Sequence, residues 1–273
     1  MQKCDSICRS PWKYDTDPFH IADNLYYVGN TSVSTHLFDT NDGILLLDTG
    51  YPQTAYLLLE SIRKVGYKPE DIRWILHTHA HIDHFGATRM LAEKYGCKTY
   101  MPSADISLLN EKSYLNWCED LDIPYSPPFD TWFDVDVAIN DTDEMTFGNT
   151  TVKAYSAAGH TPGTMAYVFS LPNGLRAAMH GGIGWNTLKS DYTKKHNLGN
   201  TWRESYIKSL DSLENLDVDI VLGNHPNQAN MFQKSAKKTD SFNPFIDNTE
   251  WGNFIRNTRS GALAMFEKDP IED

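Results

Sequence analysis

Short apolar runs broken by turn-forming residues dominate the first fifty positions and predict strands over 25–29, 34–39 and 44–48. Asn41-Asp42-Gly43 between the last two is a hairpin signal. The period then changes. Ala55, Leu58, Leu59 and Ile62 recur at helical spacing up to Gly66, which ends that helix. Trp74-Ile75-Leu76 reads as a buried strand, and Ala87, Met90 and Leu91 mark a second helix stopped near Gly96. The second half repeats the plan, with strands over 151–155, 165–170 and 175–179, the latter two joined at Pro172-Asn173-Gly174. Thr201 with Glu204 forms a capping-box signature for a helix reaching Leu213. A strand over 220–222 and a helix over 249–266 complete the chain, an α/β pattern.

One stretch has no regular period. Residues 113–132 are dense in aromatics, Tyr114, Trp117, Tyr125, Phe129 and Trp132, and form a long loop. It reads either as a lid over a site or as a loop whose rings tuck into the core edge. Residues 1–20 read as an extended arm, and 1–273 as one domain, because a single site draws on both halves.

That site begins at His77-Thr78-His79-Ala80-His81-Ile82-Asp83-His84, directly after the strand at 74–76. Imidazole and carboxylate are the ligands zinc takes when thiolates are absent. Staggered spacing on a strand-end loop lets His79 and His81 point one way and Asp83 and His84 another, toward two adjacent metal positions. His77, one step before the cluster, is read as a packing group or a hydrogen-bond partner to a ligand. Two more histidines follow strand ends: His160 in Gly159-His160-Thr161-Pro162-Gly163, and His225 in Gly223-Asn224-His225-Pro226. Glycine and proline make both turns rigid. Asp48, at the end of its strand, either orients a ligand or caps the turn at Gly50.

These motifs, in this order, resemble the metallo-β-lactamase superfamily over nearly the full length. The resemblance implies an αββα four-layer sandwich, two mixed sheets flanked by helices, with metals at one rim. Glyoxalase-type thioesterases, acyl-homoserine lactonases and RNA-processing members carry a bridging Asp after the strand that follows the Gly-His-Thr-Pro-Gly turn. Here that segment, Ala177-Ala178-Met179-His180-Gly181-Gly182-Ile183-Gly184, has no carboxylate. The first two β-lactamase subclasses use a Cys there, yet no cysteine follows Cys118, and flavodiiron relatives need a Glu where His81 stands. What remains is similar to subclass B3.

By that resemblance His79, His81 and His160 hold one Zn²⁺, and Asp83, His84 and His225 hold a second. Asp83 is then catalytic, since its zinc receives the departing amide nitrogen. The implied activity is hydrolysis of the amide bond of β-lactam antibiotics by zinc-activated hydroxide. The alternative is hydrolysis of a lactone, thioester or other ester, and a non-catalytic metal scaffold is the distant third reading. The Gly181-Gly182 pair departs from the subclass, where a substrate-binding serine is expected nearby. Trp185, Asn186 and Trp117 are the candidate substrate contacts, and His180 is read as a packing group or a partner to a ligand.

Charge narrows the partners. A net charge of -12 with no basic stripe argues against nucleic acid and anionic membranes, which leaves a small-molecule substrate; the sequence leaves the oligomeric state open, with a monomer as the expectation. No stretch approaches the roughly 18–20 apolar residues of a membrane span. Met1 to Cys8 has no apolar leader segment, so the chain as it stands reads as soluble and cytoplasmic, or periplasmic or secreted if a leader was removed. Cys4, Cys8, Cys97 and Cys118 permit disulfides without requiring any.

Overall fold

A computed structural model describes residues 6, 7, 9–110 and 131–271. Cys4, Cys8, Cys118, Tyr114, Trp117, Tyr125 and Phe129 lie outside the described residues, and with them both readings of the aromatic stretch.

Seven strands pair in chain order to form the first sheet: β1 (Phe19–Ala22), β2 (Leu25–Tyr27), β3 (His36–Asp39), β4 (Ile44–Leu47), β5 (Ile72–Leu76), β6 (Lys98–Pro102) and β7 (Val137–Ile139). Pairing is antiparallel from β1 to β4 and parallel from β4 to β7. The second sheet holds β8 (Glu144–Phe147), β9 (Thr150–Ser156), β10 (Met165–Ser170), β11 (Arg176–His180) and β12 (Ile220–Leu222) in the order β12-β11-β10-β9-β8. Only β11 and β12 run parallel there. The helices are α1 (Ala55–Lys64), α2 (Ile82–Phe85), α3 (Thr88–Tyr95), α4 (Ile106–Asn110), α5 (Ser190–Lys195), α6 (Gly199–Leu213), α7 (Met231–Lys237) and α8 (Glu250–Lys268).

Alternation along β4 sorts the layers, because successive side chains of a strand point to opposite faces. Leu45 and Leu47 pack with Phe38, Leu76, Val152, Ala166 and Phe169 between the two sheets. Ile44 and Leu46 pack on the other face with Leu58 and Ile62 of α1 and Leu91 of α3. Leu210 and Leu213 of α6 and Trp251 and Ile255 of α8 cover the second sheet, where the Trp251 indole donates to Leu213 O at 2.8 Å. The result is the αββα sandwich. A further apolar cluster, with Val33, Ala80, Ile82, Phe85, Met101, Leu108 and Leu109, lies under α2. Each large side chain buried there contributes about 1.5–3 kcal/mol and holds α2 in place.

Within the segment expected as an extended arm, residues 1–20, the described residues pack on the body. Ile7 is buried in the cluster beneath α2, Pro11–Tyr14 forms a 3-10 turn, and Phe19 opens β1 by stacking on Tyr27 at 4.8 Å. Apolar burial keeps the segment on the body of the protein. Strands β1, β6, β7 and β8 were not expected from the sequence, since three to five residues carry too little alternation to be seen without their neighbours. The capping box is corrected. Helix α6 already starts at Gly199, so Thr201 lies inside its first turn and donates to Leu198 O at 3.3 Å. Cys97 is free and buried, and burial pushes its thiol up to about 11. Among the described residues no helix is long and apolar enough to cross a membrane.

His36 on β3 should make the fold acid-sensitive. It is fully buried against Tyr27, with ring centroids 5.6 Å apart, and neither ring nitrogen has a hydrogen-bond partner among the described residues. Burial lowers its pKa from 6.5 to about 3. The folded value lies below the unfolded one, so its contribution is intact above pH 6.5 and is lost as pH falls toward 3. The loss is up to about 1.4 kcal/mol per pH unit. His36→Phe should therefore flatten the pH dependence of urea unfolding of the metal-free protein between about pH 6 and 4, by close to one proton. A slope equal to that of the wild type would contradict a neutral buried His36.

Candidate metal centre

Parallel pairing brings strand ends together at one edge of the molecule. Leu47 of β4 pairs with Leu76 of β5, and Asp48 N–H donates to Leu76 O at 2.9 Å, so Asp48 and the 77–84 segment leave the first sheet side by side. In the second sheet Met179 pairs with Leu222, which sends residues 180–184 and 223–226 out together. The two edges are joined directly. Met165 N donates to Thr78 O at 3.0 Å, Gly181 N donates to Met165 O at 2.9 Å, and Asn224 Nδ2 donates to Gly181 O at 2.5 Å.

At this junction the six side chains singled out above assemble as two groups, His79 with His81 and His160, and Asp83 with His84 and His225. Within each group one ligand atom per residue lies within 4.8 Å of the others. Nε2 of His79 and Nδ1 of His81 are 3.0 Å apart. Asp83 Oδ2 stands 3.5 Å from His84 Nε2 and 3.6 Å from His225 Nε2. The groups adjoin, since the rings of His79 and His84 are 4.3 Å apart. Helix α2 begins immediately after His81 and carries Asp83 and His84, which join His225 in the second group.

Acceptors on the far side of the rings decide which nitrogen is left for a metal. His84 Nδ1 donates to Asp48 Oδ2 at 2.8 Å, His160 Nδ1 to Gly184 O at 3.0 Å and His225 Nδ1 to Ser32 O at 2.8 Å. His79 Nδ1 donates at 2.9 Å to Thr78 Oγ1, which itself donates to Asp48 Oδ2 at 2.8 Å. Four rings thus keep Nε2 as a lone-pair donor, the arrangement that orients metal-binding histidines. Five imidazoles and a carboxylate without thiolate suit a zinc-like ion, so the residues fit such a metal.

Burial and the neighbouring imidazoles hold His79 well below the usual histidine range. Burial brings His160 down to about 4 and lowers His225. For His84 burial also opposes protonation, but the Asp83 and Asp48 carboxylates outweigh it and raise its pKa. Metals bind the neutral ring, so His79 and His160 stay ready for an ion at neutral pH.

The remaining candidates divide. Asp48 is buried with φ 60, a strained conformation for a side-chain-bearing residue, and it contacts the site through His84 and Thr78. His77 belongs to neither group. Its Nδ1 meets Tyr100 O and its Nε2 meets Thr88 Oγ1, both at 2.7 Å, which ties β5 to β6 and α3. The Nδ1 of His180 accepts from Gly182 N at 3.2 Å beneath the site. Trp185 is partly exposed, and its ring rests on α8, where a Cβ on Gly261 would come within 2.4 Å of it. Asn186 begins the 3-10 turn Asn186–Leu188. Trp117 lies outside the described residues. Sequence reasoning missed Thr78, which relays Asp48 to His79, and Asp105, whose contacts with Ala80, Thr161 and Gly163 lie at the edge of the first group. Thr78 had a signal in its place between two histidines of the cluster. Asp105 had none.

A sequence model of the Metallo-beta-lactamase superfamily matches residues 28–178, more than half of the chain. The chain belongs to the metallo-beta-lactamase superfamily. Among solved members of that superfamily, BJP-1, a subclass B3 metallo-beta-lactamase of Bradyrhizobium japonicum, is similar at a TM-score of 0.82 and 26% identity, covering 96% of this chain and 97% of that one. Native FEZ-1 metallo-beta-lactamase from Legionella gormanii is similar at a TM-score of 0.78 and 27% identity, covering 93% and 97%. The chain is therefore structurally close to subclass B3. Curated relatives point to other members. An N-acyl homoserine lactonase of Bacillus cereus is 30% identical over 21% of this chain and 32% of its own length. A hydroxyacylglutathione hydrolase of Anaeromyxobacter dehalogenans is 29% identical over 48% of this chain and 40% of its own. The matches thus span about a third to two fifths of those relatives.

The Gly181-Gly182 pair of this metallo-beta-lactamase homologue has a steric reason. A Cβ on Gly182 would stand 2.4 Å from His160 Cδ2, so the bare backbone is what lets the imidazole lie against this loop. Overpacking of this kind costs about 1–3 kcal/mol. Gly182→Ala should accordingly weaken zinc binding by the His160 group roughly 5- to 150-fold, measured by competition with a chromogenic chelator. Wild-type affinity would show that the ring moves aside freely.

Proposed function

We propose that this chain is a zinc-dependent hydrolase that opens the amide bond of β-lactams, with His79, His81 and His160 holding one zinc and Asp83, His84 and His225 a second. When bound, zinc polarises a carbonyl and makes water nucleophilic near neutral pH without a protein base. The observation that carries the reading is the segment 180–184, which lies against His160 and brings no carboxylate to the site. The ligand set is then complete without a bridging side chain. Likeness to BJP-1 and FEZ-1 over nearly the whole chain supports the same substrate class.

Asp83 is the one carboxylate among the six, and its Oδ2 faces the Nε2 atoms of His84 and His225. That oxygen is the group able to orient a departing amide nitrogen. Thr78 and Asp48 hold the His79 and His84 rings still while this happens. The exposed edge of Trp185, with Asn186 beside it, borders the substrate in this reading. A second reading, hydrolysis of a lactone or thioester, draws support from the lactonase and hydroxyacylglutathione hydrolase relatives.

Three substrates separate the readings: a chromogenic cephalosporin, an N-acyl homoserine lactone and a hydroxyacylglutathione. The zinc-loaded protein should show its highest kcat/KM on the cephalosporin and lose it to a chelator. A higher value on the lactone or thioester would establish the second reading, and no turnover of any would sink the hydrolase assignment. Elemental analysis should find close to two zincs per chain, whereas one tightly bound ion under zinc excess would rule out the paired site. Asp83→Asn should lower kcat more than it raises KM while the first ion is retained, and wild-type turnover would remove Asp83 from the site.

A further inference from the structure

Asp105 follows β6 and immediately precedes α4, far in sequence from every ligand, yet it is completely buried. Its Oδ2 accepts from Ala80 N at 2.8 Å and from Thr161 Oγ1 at 2.7 Å, and its Oδ1 accepts from Gly163 N at 2.6 Å. Ala80 is the residue between His79 and His81, and Thr161 follows His160. One carboxylate therefore clamps the loop carrying two members of the first group to the turn carrying the third. The turn is shaped to receive it. A Cβ on Gly163 would stand 2.8 Å from Asp105 Cγ, so only glycine lets the carboxylate reach that amide. Thr164 Oγ1 accepts from Thr161 N at 2.9 Å and lies 2.7 Å from Thr161 Oγ1, which aims the Thr161 hydroxyl proton at Asp105.

A buried carboxylate whose donors are all neutral is costly to desolvate. Indeed burial pushes Asp105 up to about 6 against those three hydrogen bonds. An apolar side chain of similar size would leave Ala80 N, Thr161 Oγ1 and Gly163 N without this acceptor, so the carboxylate is what joins the two segments.

We propose that Asp105 is a positioning residue of the first metal group, setting the spacing between the loop of His79 and His81 and the turn of His160, while it touches no segment that carries His225. The assignment rests on the reading of the six side chains as two metal sites.

Cobalt(II) titration of the full chain, followed by its visible absorption and by calorimetry, tests it. His160→Ala and His225→Ala each remove one ligand and so identify which binding step belongs to which group. Asp105→Asn keeps the side-chain shape, but its single oxygen serves either Gly163 or the Ala80 and Thr161 pair, not both. It should weaken the step lost in His160→Ala about 10–100-fold and alter that step's absorption, with the step lost in His225→Ala held within about twofold. Thr161→Val, which removes one donor only, should weaken the same step by less, and it carries the test should Asp105→Asn fail to fold. Equal weakening of both steps, or of neither, in both variants overturns the assignment and leaves the two-site reading standing. A wild-type chain that takes up no cobalt overturns both.

Discussion

Asp48 accepts hydrogen bonds from Thr78 N, Thr78 Oγ1 and His84 Nδ1, all at 2.8 Å, in a place closed to solvent. Through Thr78 it also fixes His79, so a single carboxylate orients a ligand in each group. Both oxygens are committed, which fixes the side chain, and its φ of 60 fixes the backbone that presents it. Such strain survives only where surrounding contacts over-determine the conformation. Here they do, through the ladder bond to Leu76 O and the Thr49 N bond to His84 O at 2.7 Å.

The rest of the architecture brings the six side chains together beside that carboxylate from three chain segments. Apolar packing between the sheets sets the height of β4 and β5 relative to β10 and β11, and the bonds through Thr78, Met165, Gly181 and Asn224 lock the two edges at atomic register. Beneath them the cluster of Ile7, Ile82, Phe85 and Leu108 seats α2, so the backbone carrying Asp83 and His84 rests on a packed surface. The N-terminal segment thus takes part in the support of the site.

Polar burial is concentrated where it orients something. His77 gives up both ring nitrogens to Tyr100 and Thr88, and Asp105 gives up both oxygens to backbone and hydroxyl donors. Each binds an element that carries ligands without facing the metal positions itself. His36 has no such partner among the described residues, and burial alone lowers its pKa to about 3.

The sequence by itself determined the candidate metal ligands and much of the frame. Histidines and an aspartate at strand-end spacing declare a metal site, and long alternating runs such as 44–48 and 165–170 declare their strands, because ligand type and period are local properties. Short strands such as β6 and β7 were illegible, since their pairing depends on neighbours distant in the chain. The partition of the ligands into two adjacent groups needed the edges of both sheets in contact. Asp105 carries no local signal at all, because its function resides in three donors from residues 80, 161 and 163. Likewise the sequence offers His77 as a packing group or a partner to a ligand, Trp185 as a substrate contact and Gly182 as a departure where a serine is expected nearby. Only tertiary packing made them a strut, a ring resting on α8 and the space His160 occupies, because which way a side chain faces is decided by what packs behind it.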